Sequence, residues 1–286
     1  MQHKSQKYLY IIEKCGKINM IFHKELLAMS EIKLGVQLFT LRDKCKNAED
    51  FEETLKFLQG IGCNVIQISA IGPIDPVKVG ELVKKYNMEV CVTHKPYERF
   101  KNDLDALMAE HDLINCKNLG MGAMPSNLHE SYEGVWGFIN KCNEIGAKLH
   151  ENGKQLCYHN HAFEFERYDG KRTFERLIEE TTPETLHFIP DTYWMQVGGV
   201  NPADYLKKLK GRVEVCHFKD MRIVNNEQRF AECGTGNLDL GACYRACQEI
   251  GVKYIVIEQD LCYDMDVFES VKIGFDGLQR IAKENA

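Results

Sequence analysis

Four of the ten histidines in this 286-residue chain stand at the ends of apolar, β-rich runs. His94 follows Met88–Thr93, His159 and His161 straddle the end of Lys154–His159, and His217 lies near the end of Val213–Phe218. Carboxylates and a lysine share such places. Glu164 and Glu166 follow the fifth run, Asp191 ends the sixth, Lys219 and Asp220 follow the seventh, and Glu258 ends the eighth with Asp260 beyond. Imidazoles and carboxylates together make a mixed N/O donor set, suited to Mn²⁺, Mg²⁺, Zn²⁺ or Co²⁺ and without the thiolates of a structural zinc site. Each residue also has a plainer reading. Asp191, after Ile189-Pro190, could cap the helix that follows, and His217 could be a satisfied core histidine. Glu258 is harder to explain that way, because a carboxylate buried without a partner is costly.

The elements that must position these groups recur from Met29 onward. Eight short runs, Lys33–Leu38, Asn64–Ser69, Met88–Thr93, Asn115–Met121, Lys154–His159, Leu186–Asp191, Val213–Phe218 and Lys253–Glu258, have the length of strands buried on both faces. The segments between them read as amphipathic helices. Glu49–Leu58 places Phe51, Leu55 and Leu58 on one face, and Pro76–Lys85 opens on a first-turn proline. Gly62, Gly153, Gly211 and Gly251 stand where helix C-caps are expected. Eightfold strand–helix alternation after Met29 predicts a closed (β/α)₈ TIM barrel, with its active site at the C-terminal ends of the strands. A doubly wound open sheet is the alternative, but no GxGxxG follows the first run.

Composition narrows the class further. A formal charge of −6 opposes a nucleic-acid-binding surface, and no stretch approaches a membrane span. Twelve cysteines are scattered singly with no CxxC pair, which predicts free thiols in a reducing, cytoplasmic setting. The first 28 residues differ, with a net charge of +3 against −9 for the remainder. Their longest uncharged apolar run, Tyr8–Ile12, is too short for a signal-peptide core. Lys24-Glu25 can be encoded as a ribosome-binding sequence just before Met29. The expectation is therefore an extension over 1–28, upstream of a natural start at Met29, and one barrel domain over 29–286.

The chain resembles the xylose isomerase-like TIM barrels of the sugar phosphate isomerase/epimerase family, in the inosose dehydratase-like branch. The resemblance covers about residues 32–283 and is carried by Gly35-Val-Gln-Leu-Phe-Thr-Leu-Arg42, Tyr158-His-Asn-His-Ala-Phe-Glu-Phe165, Asp191-Thr-Tyr-Trp194, His217-Phe-Lys-Asp220, Gly234-Thr-Gly-Asn237 and Glu258-Gln-Asp260. It implies one divalent metal, Mn²⁺ first among the candidates, held by Asp191, His217 and Glu258. Members with the plain pattern carry a Glu where this chain has His159. Glu164 is the expected fourth ligand, with His159 as the competing assignment and the loser facing substrate.

The implied chemistry is proton removal next to a carbonyl through a metal-stabilised enediolate, giving isomerisation or epimerisation of a sugar or polyol. Loss of a β-hydroxyl from the same intermediate would make a dehydratase or lyase acting on a keto-sugar or inosose. His161, His94 and Lys219 are candidate bases, with His159 a further candidate for proton transfer. Lys219 could otherwise pair with Asp220. Trp194, Phe39, Tyr193 and Asn160 are candidate substrate contacts, although the aromatic residues could equally be plain core. Gly234–Asn237, after the seventh run, lies where barrels often bind phosphate, but holds no Lys or Arg. Two other classes compete: a metal-dependent endonuclease, disfavoured by the charge of the core, and a catalytically silent sugar- or partner-binding barrel. A homo-oligomer is left open.

Overall fold

The computed structural model describes residues 31–285; the expected extension and the start at Met29 lie outside them. Eight parallel strands form the central sheet: β1 (Lys33–Gln37), β2 (Val65–Ser69), β3 (Glu89–Lys95), β4 (Asn118–Met121), β5 (Gln155–His159), β6 (His187–Ile189), β7 (Val215–Phe218) and β8 (Tyr254–Ile257). Neighbours pair in the order β6-β5-β4-β3-β2-β1-β8-β7. The two ends then meet. Phe188 bridges Val213 and Asp191 bridges His217, both in parallel, while His217 N donates to Pro190 O at 2.9 Å. The sheet is a barrel and not an open, doubly wound sheet. Every residue of β2, β4, β6 and β7 is buried, as near-continuous apolar runs covered by helices require.

The principal crossover helices are α1 (Ala48–Gly60), α2 (Pro76–Lys85), α3 (Leu104–Leu113), α4 (Tyr132–Glu151), α5 (Thr173–Glu179), α6 (Pro202–Lys207), α7 (Leu240–Ile250) and α8 (Val267–Asn285). Their starts are written in the sequence. Asn47 accepts from Asp50 N at the head of α1, and Asp75 accepts from Val77 N ahead of the proline-led α2. The apolar stripe Phe51, Leu55 and Leu58 is buried against the sheet layer, as the 3.6-residue period predicts.

Two hairpins interrupt the βα loops beyond the C-terminal ends of the strands. One pairs Arg167–Tyr168 with Lys171–Arg172, and the other pairs Asp220–Val224 with Glu227–Ala231. The second turns on Asn225 and Asn226, both at positive φ, the geometry of a type I′ turn. Asp220 anchors its base: the buried carboxylate accepts from Met221 N, Gly234 N, Gly236 N and Leu238 N at 2.8–3.2 Å. Within Gly234–Asn237, the amides of Gly234 and Gly236 are thus turned onto the protein's own carboxylate, and those of Thr235 and Asn237 onto the carbonyls of Glu232 and Met221. That loop is a structural knot, and the phosphate suggestion it raised is set aside.

The opposite, N-terminal end of the barrel is held by one acid. Glu214, just before β7, accepts from Lys117 Nζ at 2.9 Å, Lys253 Nζ at 2.7 Å and Asn118 Nδ2 at 3.3 Å, joining the starts of β4, β7 and β8. Burial raises its pKa, but the two lysines and the amide outweigh this and hold it at about 2, below the ordinary 4.5. The eleven described cysteines are all free and ten are buried.

Two outcomes follow. Because Glu214 is more acidic folded than unfolded, its contribution is present above pH 4.5 and is lost as pH falls toward 2. The lysines are about half exposed, so Glu214→Gln should cost only about 1–2 kcal/mol at pH 7 in urea unfolding. The gap from wild type should close below pH 4; a constant gap contradicts the assignment. Thiol titration of unreduced, denatured protein should find all twelve cysteines of the sequence free, and a recurring deficit of two contradicts that reading.

Candidate metal centre

Strand ends β5 to β8 deliver four side chains to one buried point: His159, Asp191, His217 and Glu258. One ligand atom from each lies within 4.8 Å of all the others. His159 Nε2 stands 3.4 Å from Asp191 Oδ2 and 3.9 Å from Glu258 Oε2. His217 Nδ1 stands 3.7 Å from Asp191 Oδ2 and 3.1 Å from Glu258 Oε2.

The atoms turned away from this point are engaged elsewhere. His159 Nδ1 lies 3.1 Å from Gly122 O, and His217 Nε2 lies 2.8 Å from Gln67 Oε1. With those nitrogens as donors, the tautomers leave His159 Nε2 and His217 Nδ1 facing inward as lone-pair donors. Asp191 Oδ1 accepts from Trp194 N at 2.9 Å, so the same residue that caps the short helix Thr192–Val197 keeps Oδ2 for the centre. Glu258 Oε2 has Lys219 Nζ at 3.3 Å. Outer-sphere partners that orient the ligands are what a built divalent-metal site requires, and these four residues fit such an ion. Burial raises Asp191, yet Lys219, His159 and His217 hold it at about 2. Glu258 is likewise held down by Lys219 and His217 against burial. Both acids stay ionised.

Glu164, expected as the fourth ligand, lies outside this group. A 3₁₀ turn at Phe163–Phe165 folds its carboxylate back, where Oε1 accepts from the Tyr158 hydroxyl and Oε2 from His161 N at 2.8 Å. Burial pushes its pKa up to about 7, against the pull of those two donors. His159 is the fourth member of the converging group.

His161 stands beside the centre, its ring edge-to-face with His159 at 4.8 Å and 5.3 Å from Trp194. Its Nδ1 is buried with no protein partner, and burial, with His159 and Lys219 nearby, lowers its pKa to about 3. It is a neutral imidazole. His94 completes the cluster, 5.1 Å from His159 and 5.6 Å from His217 between ring centroids. Its Nδ1 lies 3.4 Å from Gln37 Nε2, and its Nε2 is buried without a protein partner. Gly122 makes room for the ring: a Cβ there would stand 3.2 Å from His94 Nδ1. Burial holds His94 neutral as well.

Lys219 is brought to the site as the cation among its acids. Burial lowers its pKa, and Glu258, Asp191 and Asp260 more than reverse that, so the amine remains protonated. Its Nζ donates to Asp260 Oδ1 at 2.6 Å and lies about 5 Å from the rings of Trp194 and Phe230. The alternative pairing with Asp220 is also absent, since that acid holds the Gly234 loop.

The substrate contacts divide. Trp194 is half-buried, with Nε1 lacking a protein partner, so it can meet a ligand. Tyr193 is buried behind it, its hydroxyl accepting from Gln228. Asn160 is fully buried and braces the site: Oδ1 accepts from Asp191 N and Nδ2 donates to His161 O. A substrate role for it is set aside. Phe39 lies under the Arg42 guanidinium, which also donates to Asp260 O and ties the loops after β1 and β8.

Sequence reasoning missed Gln67, Gln37, Tyr158 and Phe230. Gln67 had a legible signal, as a polar residue within the wholly buried Val65-Ile-Gln-Ile-Ser69 run. Phe230 had none, because only the hairpin brings it to Trp194 and Lys219.

With this geometry established, the chain can be set beside known proteins. It is 22% identical over 275 residues to an inosose dehydratase of Clostridium botulinum, covering 82% of this chain and 90% of that one. An inosose dehydratase of Geobacillus kaustophilus matches more locally, at 32% over 81 residues, or 28% of this chain and 23% of that one. Among solved structures, a sugar phosphate isomerase/epimerase from Parabacteroides distasonis superimposes with a TM-score of 0.72 at 19% identity, covering 88% and 95% of the two chains. The IOLI protein with a bound zinc atom gives 0.68 at 13% identity, covering 89% and 99%. The model of one family matches residues 55–262, and on that match this chain belongs to the xylose isomerase-like TIM barrels.

Proposed function

We propose that this chain is a divalent-metal-dependent sugar isomerase or epimerase that removes a proton beside a carbonyl, with His159, Asp191, His217 and Glu258 holding the ion. The observation that carries the reading is the four buried donor atoms, three of them, on His159, Asp191 and His217, belonging to side chains whose other polar contacts orient them. When bound, the ion polarises the carbonyl and makes the adjacent C–H acidic. The donor set has two imidazoles and two carboxylates, which favours Zn²⁺ or Co²⁺ over the Mn²⁺ expected from three carboxylates. The bound zinc of the IOLI protein supports the same preference.

This chain's own residues supply the rest. His161, neutral and with Nδ1 free of protein partners, accepts the proton. His94, also neutral, is the second imidazole available to return it to the neighbouring carbon or the other face. Lys219 stays a cation beside Glu258 and Asp260 and stabilises negative charge developing on the enediolate oxygens. Trp194 offers its ring to the C–H face of a small sugar or polyol.

A second reading is favoured by the inosose dehydratase relatives: the same intermediate loses a β-hydroxyl, giving dehydration of an inosose or keto-sugar. The endonuclease reading is not supported. Among the described residues the converging donors form a group of four, too few for a trinuclear cluster, and no helix there is long and apolar enough to cross a membrane. The free thiols support a reducing, cytoplasmic setting.

Elemental analysis of protein supplied with Zn²⁺, Co²⁺ and Mn²⁺ in turn should give one ion per chain. Ala at His159, Asp191, His217 or Glu258 should lower that occupancy and abolish turnover without unfolding the barrel. Full occupancy in any of the four refutes the ligand set. In D₂O, inosose or a keto-pentose should gain deuterium beside the carbonyl, and NMR of the product separates epimerisation from loss of water. Lys219→Met should keep the metal and lose about 10²–10³ in kcat. A protein that binds metal yet exchanges no proton in any candidate ketone would be a silent barrel.

A further inference from the structure

Glu164 is a buried carboxylate with no cation beside it among the described residues, and such a group is costly unless hydrogen bonds satisfy it. Its partners form one chain. Met124 N, in the loop after β4, donates to the Tyr158 hydroxyl at 3.1 Å; that hydroxyl donates to Glu164 Oε1; and Glu164 Oε2 accepts from His161 N. Tyr158 and Glu164 are both fully buried. The chain ends on the main chain of His161, whose ring Nδ1 has no protein partner to orient it. What aligns that ring is its backbone and its stacking: Phe163 lies at 10° to it, and His129 lies 4.1 Å beyond on Phe163. With Nδ1 left open for substrate, these restraints on the backbone and the ring faces are what the structure provides to aim the imidazole.

We propose that Glu164, held by Tyr158, is a positioning residue that fixes the His161 main chain so that its imidazole faces the substrate carbon. This rests on the reading of His161 as the proton-transfer group. Glu164 touches neither the ion nor the substrate; it acts through one amide, at a site where a shift of about 1 Å can cost about 10²-fold in rate.

Two substitutions separate positioning from ligation. In Glu164→Gln the amide oxygen can still accept from His161 N, the link that positions the main chain, while the Tyr158 hydroxyl loses its carboxylate acceptor. Glu164→Ala removes both links. Three readouts are taken: Co²⁺ affinity, deuterium exchange into inosose, and NMR of ¹⁵N-histidine-labelled, Zn²⁺-loaded protein. Both variants should bind Co²⁺ within about threefold of wild type, a range of under about 1 kcal/mol. Glu164→Ala should lose about 10²-fold in kcat with little change in KM, and shift the His161 ring resonances but not those of His159 or His217. Glu164→Gln should recover to within about tenfold, with His161 resonances near wild type.

Loss of Co²⁺ in Glu164→Gln would make Glu164 a ligand and overturn the proposal. So would Glu164→Ala with wild-type exchange and unmoved His161 signals, or Glu164→Gln failing as badly as Ala. If Glu164→Ala does not fold, Tyr158→Phe cuts the same chain while keeping the ring packed on Phe138, and there an unchanged kcat overturns the proposal. Should wild type exchange no proton from inosose, the proposed reaction loses its support, while the His161 resonances still test the positioning on their own: moved in Ala, unmoved in Gln.

Discussion

Everything at the catalytic face answers to one electrostatic demand: Asp191 and Glu258 are fully ionised acids placed out of water within reach of one another. Isolated, such charges would be too costly to bury. The barrel offsets them from several sides. Lys219 stands against Glu258 and Asp260, His159 and His217 stand between the two acids, and a divalent ion fits the inward-facing atoms. This arrangement explains why a lysine that might have served as a base is kept a cation. Its charge is part of the balance that lets the acids remain acids.

The same demand orders the layers behind the site. Gln67 from β2, the Gly122 carbonyl after β4 and the Trp194 amide each hold one ligand from outside. Asp220, one residue beyond Lys219, ties the hairpin and the Gly234 loop, and that hairpin carries Phe230 to the ammonium. Stability is invested at the other end, where Glu214 joins three strand starts. The two ends therefore use buried acids differently. Glu214 is saturated by half-exposed lysines, whereas Asp191 and Glu258 keep oxygen atoms facing a shared point.

Much of this was legible in the chain itself. The eight apolar runs became the eight strands, and reading only their ends found Asp191, His217 and Glu258, because parallel strands deliver chemistry at one edge. The fourth member of the converging group was not legible, since it depends on how far the chain after β5 travels. Charge counting favoured Glu164, but the 3₁₀ turn reverses the chain and spends both its oxygens on Tyr158 and His161. The charge state of Lys219 also depends on the fold. A lone lysine near a site suggests a lowered pKa, and Glu258, Asp191 and Asp260 together reverse the sign. Asn160 sits inside a signature that suggests substrate contact, yet its side chain is used on the Asp191 amide. Sequence thus located the site; side-chain partnering across the barrel decided the roles.

The account rests on a single ion held by His159, Asp191, His217 and Glu258, with Glu164 apart from it. Anomalous diffraction from crystals grown with Zn²⁺, collected on either side of the zinc edge, addresses that directly. The account predicts one anomalous peak, bonded to His159 Nε2, Asp191 Oδ2, His217 Nδ1 and Glu258 Oε2, with Glu164 still on Tyr158 and the His161 amide. A peak coordinated by Glu164 in place of His159, or no peak within these four side chains, would contradict it.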